Sequence, residues 1–322
     1  MTMGKGVAVT GSSGCFGRAL LKRLLPEGGV RALFLPSTDY GPFMADERCH
    51  VVLGSLDDET ALEELVAGAE TVYHCAAEMG KGDPSLSHRV NVVGTEKLAR
   101  AARKAGVSRF VYVSSISVFG ATSRTGNTVT EELEPENPES LNAYSSTKYY
   151  GEVVVRDLAE AGDFTFTIIR PTNVYGPHSR PWFLQFERLL NRIPIAIGNF
   201  PIDLVYVDDV VEAMIGAAAS PACANQDFNI GHEMVDLSRF MVKVGGVTGR
   251  RIRKLPRPLD LHLRKAISGA FKIVKGKPMS MSLLEPTLYP HTKARETFGY
   301  SPSIMLDEGF EKLAEWHRSG RP

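Results

Sequence analysis

The chain has 322 residues, 43% of them hydrophobic and 23% charged, and its 37 Lys/Arg balance 37 Asp/Glu. This length predicts about two domains or one large α/β unit. The composition excludes disordered, collagen-like and disulfide-stapled classes, and the zero net charge argues against a dedicated nucleic-acid binder.

The first half alternates between two periodicities. Strands are predicted at 6–10, 30–35, 50–53, 71–75, 110–114 and 164–170, and helices at 17–25, 59–67, 90–105 and 144–161. Short strands rich in Val, Ile and Phe that alternate with helices mean βαβ units. The expected fold is therefore α/β, a doubly wound parallel sheet covered on both faces. Beyond 171 the pattern loosens around Pro177, Pro181, Pro194 and Pro201, followed by a strand at 204–207 and helices at 208–219 and 237–245. The four cysteines, Cys15, Cys49, Cys75 and Cys223, form no Cys-x-x-Cys pair, so neither a metal site nor a redox dithiol is expected. They read as reduced thiols of a cytoplasmic protein. Neither a signal peptide nor an uncharged apolar stretch of about 20 residues is readable.

Between the first strand and the first helix lies Gly11-Ser12-Ser13-Gly14-Cys15-Phe16-Gly17. Glycines there let the backbone approach a pyrophosphate, and the following helix N-terminus offers free N–H groups to the anion. The spacing is Gly-x-x-Gly-x-x-Gly, which differs from the commonest dinucleotide fingerprint. An acid about twenty residues on would hold the ribose 2′-OH of NAD. No acid lies between Glu27 and Asp39, and Arg31, the one basic residue in that span, is placed by strand alternation to point away. Ser37 and Thr38 are able to donate to either NAD or NADP, and the reading leans to NAD.

Tyr144 and Lys148 stand four apart in the helix predicted at 144–161 and so share one face. An ammonium near a phenol favours the phenolate, which makes a general acid–base. Ser114 and Ser115 end a strand of the parallel sheet, where ligands gather.

Taken in order, Gly11-x-x-Gly14-x-x-Gly17, His74-Cys75-Ala76-Ala77, Asn91-Val92-Val93-Gly94-Thr95, Val113-Ser114-Ser115, Tyr144-x-x-x-Lys148, Arg170 to Pro177 and Val205 to Val210 resemble an extended short-chain dehydrogenase/reductase of the NAD-dependent epimerase/dehydratase type. The resemblance implies a Rossmann-like domain over 1–175, with 203–230 returning to it, and a smaller, partly interleaved substrate domain over 176–202 and 231–322. It implies Tyr144 as acid–base, Lys148 as ribose binder that lowers the phenol's pKa, and Ser115 as the hydroxyl that orients the substrate oxygen. Gly11, Gly14, Phe16, Gly17, Ala76, Ala77, Lys148, Pro171 and Asn173 are its cofactor contacts. Asn91 either supports the site or is a plain helix residue. The resemblance also implies a homodimer through the helices at 90–105 and 144–161.

Departures from the family narrow the branch. Dehydratases carry an Asp-Glu pair where Ile116-Ser117 stands. Sugar-nucleotide epimerases carry arginines at the places of Ile202 and Ser280 and an aspartate at that of Leu283, and an arginine fork is the natural partner of a diphosphate. The stretch 250–277 holds ten Lys/Arg against one acid, Asp260, on a helical apolar pattern. It reads as a packed helix with a basic solvated face, a peripheral contact with anionic membranes, or a wall for an anionic substrate. It resembles the 3β-hydroxysteroid dehydrogenase and dihydroflavonol-reductase-like branch. The expected activity is hydride transfer between NAD(P) and a small-molecule secondary alcohol or ketone. The alternatives are a nucleotide-sugar 4-epimerase or ketoreductase, and a non-catalytic dinucleotide-binding regulator. Candidate substrate contacts are Glu78, Lys81, Asn173 and Trp182, and His74 is expected to pack at a strand end.

Overall fold

The computed structural model describes residues 6–79, 83–120, 128–134, 137–160, 164–260, 262 and 287–320. Strands β1 (Gly6–Thr10), β2 (Val30–Phe34), β3 (Cys49–Leu53), β4 (Ala69–His74), β5 (Arg109–Val113), β6 (Thr165–Pro171) and β10 (Gln226–Ile230) form one seven-stranded sheet in the order β10-β6-β5-β4-β1-β2-β3. Every pairing in it is parallel. The order reverses between β1 and β4, so their carboxyl ends flank a crevice, which is where open α/β sheets bind ligands.

The strand period of two explains the two cores. Val7 and Val9 of β1 face one side, where Leu20, Leu21 and Leu24 of α1 (Cys15–Leu24) and Val210 and Met214 of α7 (Val207–Ala219) pack. Ala8, between them, faces the other side, with α2 (Glu59–Val66), α4 (Gly94–Lys104) and α5 (Ala143–Glu160). Helix α2 starts where it does because the Asp58 carboxylate accepts from the Ala61 N–H at 3.1 Å, satisfying one orphan donor of the first turn.

A second sheet of three strands joins β7 (Asn173–Tyr175), β9 (Pro201–Tyr206) and β11 (Glu233–Asp236) in the order β11-β9-β7. Thus Pro201–Tyr206 lies in the small sheet, while Gln226–Ile230 lies in the large one. Strands β8 (Ile195–Ala196) and β12 (Arg253–Lys254) pair with each other. Around the small sheet Tyr175, Phe183, Phe240, Phe310 and Trp316 form an aromatic core with α6 (Gln185–Arg192), α8 (Leu237–Val247) and α10 (Leu306–Arg318). Helix α9 (Thr292–Phe298) returns to the large sheet, where Phe298 meets Phe228 edge-on at 5.1 Å.

Helices α3 (Pro84–His88) and α4 are joined by a π-helical turn, Arg89–Val93, so the helix predicted at 90–105 is interrupted at its start. Residue 81 and most of 250–277 lie outside the described residues. Among the described residues, no helix is long and apolar enough to cross a membrane, and no cluster of His, Cys, Asp and Glu could hold a metal ion.

Candidate active site

The glycine loop leads from β1 into α1. Gly11 has φ +70°, and a Cβ there would lie 2.6 Å from the Ala76 amide nitrogen. Glycine is required because the loop after β4 crosses directly over it. That crossing brings Ala76, half-buried, and Ala77, exposed, beside the loop. A Cβ on Gly17 would lie 2.2 Å from the Gly11 carbonyl, so α1 packs tightly on the turn. The N-cap, Gly14, offers no side-chain hydrogen bond, and the first turn holds no acid. The leading N–H groups and the positive end of the helix dipole therefore remain available to an anion. Phe16 packs against both the large core and the aromatic core.

Ser115 meets Tyr144, and Lys148 lies one turn further along the helix that carries Tyr144. Ser115 follows β5 and caps the 3-10 turn Ile116–Phe119, its Oγ accepting from the Ser117 N–H at 3.1 Å. Burial pushes the Tyr144 phenol up to about 12, and a hydrogen bond with Ser115 partly offsets this. One turn along α5, Lys148 is buried and its Nζ has no hydrogen-bond partner. Its Nζ sits 4.0 Å from the centroid of the Tyr112 ring. Burial pushes Lys148 down to about 7, with Glu152 and Cys75 acting against the shift. The sequence expectation of a phenol lowered by the lysine thus differs from the structure, in which desolvation dominates both groups.

The π-helical turn explains Asn91. Its Nδ2 donates to the Glu78 carbonyl at 2.9 Å and to Thr147 Oγ1 at 3.0 Å, and its Oδ1 accepts from the Glu78 N–H at 2.7 Å. One side chain therefore pins the loop after β4 to the turn of α5 between Tyr144 and Lys148. His74 is fully buried, with Thr10 Oγ1 at 2.6 Å from Nδ1 and Thr95 Oγ1 at 2.9 Å from Nε2. The Thr95 hydroxyl donates to the Asn91 carbonyl, so Nε2 carries the imidazole proton. Burial lowers the His74 pKa well below its usual value, which keeps the ring neutral. His74 is a packing residue at a strand end.

Beneath Lys148 lies a buried ion network. Arg170 grips Glu152 through Nε (3.0 Å) and Nη2 (2.6 Å), donates through Nη1 to the Glu131 carbonyl at 3.1 Å, and stands 3.0 Å from Asp227. Arg156 hydrogen-bonds Asp227 from the other side. Glu152 is four residues after Lys148 on the same helix face, a signal readable in the sequence.

Pro171 is buried at the end of β6, and Asn173 donates through Nδ2 to the Asp203 carbonyl at 2.7 Å. Glu78 is half-buried, held through its backbone by Asn91. Trp182 stacks on Phe186 at 5.5 Å and meets Phe240 edge-on at 5.9 Å, inside the aromatic core. Arg18 of α1 and Asp39, beyond β2, meet beside the glycine loop. Arg18 Nη2 donates to both the carbonyl and the carboxylate of Asp39 at 2.8 Å, and its Nε donates to the Ser13 carbonyl at 3.2 Å. Arg31 does turn away, reaching the Glu64 carbonyl at 3.4 Å.

Residues 7–231 match the NAD dependent epimerase/dehydratase family. The chain belongs to this family. It is an NAD-dependent enzyme of the extended short-chain dehydrogenase/reductase type. It is 31% identical to the UDP-glucose 4-epimerase of Mycolicibacterium smegmatis over 97% of this chain and 98% of that protein. It is 26% identical to 3beta-hydroxysteroid-dehydrogenase/decarboxylase isoform 1 of Arabidopsis thaliana over 85% of this chain and 68% of that protein. Among solved structures, MoeE5 in complex with UDP-glucose and NAD superposes with a TM-score of 0.73 at 25% identity, covering 98% of this chain and 99% of the other.

Proposed function

We propose that the enzyme transfers a hydride between NAD and the carbon of a secondary alcohol, or the reverse with a ketone, using Ser115, Tyr144 and Lys148. The observation that carries this reading is the Lys148 ammonium, buried and without a hydrogen-bond partner on the helix face it shares with Tyr144. A buried donor left unmade is costly unless a ligand satisfies it. The adjacent ribose of a dinucleotide held by Gly11, Gly14 and Gly17 is chemically suited to that donor.

NAD supplies the hydride acceptor and its reduced form the hydride donor. The loop backbone around Gly11, Gly14, Phe16 and Gly17 binds the pyrophosphate, and Ala76, Ala77, Pro171 and Asn173 border the rest of the cofactor. Ser115 Oγ orients the substrate oxygen. Tyr144 Oη takes the hydroxyl proton during oxidation and returns it during reduction. Hydrogen-bonding Lys148 to the ribose favours its charged form, and a charged ammonium beside the phenol favours the phenolate. A homodimer through α4 and α5 is part of this reading.

Tyr144→Phe tests it. Turnover is expected to vanish while NAD binding persists, and a variant with a near-normal rate overturns the mechanism.

The full-length likeness to the M. smegmatis enzyme favours a second reading, a sugar-nucleotide 4-epimerase with the same three residues. Against it, the place of the epimerase arginine is Ile202, an apolar residue packed against the aromatic core, so no guanidinium is offered there to a diphosphate. One-for-one change of cofactor redox state with product excludes a pure epimerase. A thermal shift with one nucleoside diphosphate in the presence of NAD favours the epimerase.

A further inference from the structure

Beside the aromatic core, two segments far apart in sequence lie edge to edge. Strand β8 pairs with β12, Ile195 opposite Arg253 and Ala196 opposite Lys254. The Arg253 N–H donates to the Pro194 carbonyl at 3.1 Å, and Arg250 donates through Nη1 to the Asn191 carbonyl at 3.3 Å. Further along, the Asp260 carboxylate accepts from the Gly198 and Asn199 N–H groups at 2.7 and 3.1 Å. The end of α6 and residues 193–196 therefore share one surface with residues 250–260.

That surface is basic and apolar at once. Residues 188–196 contain no acid, and residues 250–260 contain one, Asp260, which is fully buried. Arg188, Arg192, Arg250, Arg251, Arg253 and Arg257 are exposed, and among the described residues no carboxylate pairs with any of them. Successive strand residues face opposite sides, and Lys254, next to Arg253, reaches toward Asp236 at 3.8 Å instead. Among the arginines stand Leu189, Ile193 and Leu259, 43%, 53% and 58% exposed, and Ile195 opposite Arg253. Helix and strand period accounts for Leu190 and Ala196, which are buried. It gives no reason for the apolar residues beside them to stand in water. In sequence the basic run continues with Arg264, Lys265, Lys272, Lys275 and Lys277, and no acid interrupts it through 277.

Single-stranded nucleic acids stack their bases on aromatic rings, and neither 188–196 nor 250–260 contains one. The cores of protein interfaces are depleted of charge, whereas here each exposed apolar residue stands beside an arginine. An anionic bilayer offers both phases: phosphates and carboxylates for guanidinium groups, and an acyl boundary for aliphatic side chains and arginine stems.

We propose that this face docks the enzyme on the surface of an anionic lipid bilayer, its arginines among the headgroups and Leu189, Ile193, Ile195 and Leu259 at the acyl boundary. The docking is peripheral and stands independently of the catalytic reading.

Co-sedimentation of the purified full-length protein with vesicles tests this, using phosphatidylcholine alone and phosphatidylcholine mixed with phosphatidylserine. Wild type is expected to bind the mixed vesicles and not the phosphatidylcholine ones, with affinity falling as salt is added. Arg192→Gln/Arg251→Gln/Arg253→Gln should lose roughly a hundredfold, about fivefold for each charge taken from the membrane surface. Ile193→Ser/Leu259→Ser keeps every charge and should lose roughly tenfold. Arg23→Gln/Arg48→Gln/Arg100→Gln removes the same charge from exposed positions around the large sheet and should bind like wild type. Failure of wild type to bind the mixed vesicles overturns the proposal, as do equal losses in the two arginine variants. Heparin, a polyanion without an acyl phase, separates the other partners. Heparin binding by wild type, together with an unweakened Ile193→Ser/Leu259→Ser on vesicles, makes a soluble polyanion the partner and overturns the proposal. Should the arginine variant fail to fold by circular dichroism, the serine variant and the salt dependence decide.

Discussion

Lys148 and Tyr112 hold each other from two sides: the Lys148 ammonium lies 4.0 Å from the Tyr112 ring centroid, and the Tyr112 hydroxyl stands 3.5 Å from the Lys148 carbonyl. The ring face is one of few environments that tolerate a buried ammonium. It positions the charge one turn from Tyr144 without consuming its hydrogen bonds.

That burial has a pH signature. Lys148 is pushed from an ordinary 10.5 down to about 7. Between these values the unfolded chain binds a proton that the native state does not, so stability rises as pH increases from about 7 to about 10.5. The penalty is fully present below pH 7 and amounts to at most about 5 kcal/mol. Lys148→Met should therefore be more stable than wild type at pH 6, and the difference should shrink as pH rises toward 10. Denaturant melts at several pH values check this, and a pH-independent difference contradicts it.

Burial pushes the Glu152 carboxyl up, but the charge and hydrogen bonds of Arg170 outweigh this and hold it below the usual carboxylate range. Its contribution is present above the unfolded carboxyl value and is lost as pH falls through the depressed one. Glu152→Gln leaves the buried Arg170 short of a counter-charge and should cost about 3–5 kcal/mol at neutral pH. The difference should narrow in acid, as urea unfolding of the two proteins would reveal.

Asn91 connects Glu78 to Thr147, so Asn91→Ala leaves the Glu78 backbone groups and the Thr147 hydroxyl without that partner. The expected loss is about 1–3 kcal/mol of stability. Turnover should fall more than NAD affinity, because the α5 turn that carries Tyr144 loses its tie to the β4 loop. Equal losses in both would mean that Asn91 serves folding alone.

At Gly151, α5 packs directly on Tyr112 of β5 and on the backbone of the Asn91 turn. A Cβ there would lie 2.2 Å from the Tyr112 hydroxyl and 2.8 Å from the Asn91 carbonyl. Gly151→Ala should improve helix propensity and still destabilise the protein, by about 1–3 kcal/mol, through overpacking. A thermal midpoint at or above that of wild type would show that the helix can shift outward freely.

Much of the site is legible in the amino-acid sequence. The strand–glycine loop–helix order, the alternation that gives a parallel sheet, and the four-residue spacing of Tyr144 and Lys148 are local patterns, fixed by backbone period and glycine sterics. Helix α10 carries a pattern of the same kind: Leu306, Phe310, Leu313 and Trp316 recur at helical spacing. What local pattern cannot contain is which distant groups meet. Periodicity tells which face of an element is buried, never against what. The π-helical turn at Asn91, the ring beneath Lys148, the grip of Arg170 on Glu152 and the return of Asp39 to Arg18 each join residues from different elements. Those meetings follow from strand order and loop closure, so tertiary structure alone decided them, and with them the electrostatic surroundings of Tyr144, Lys148 and Glu152.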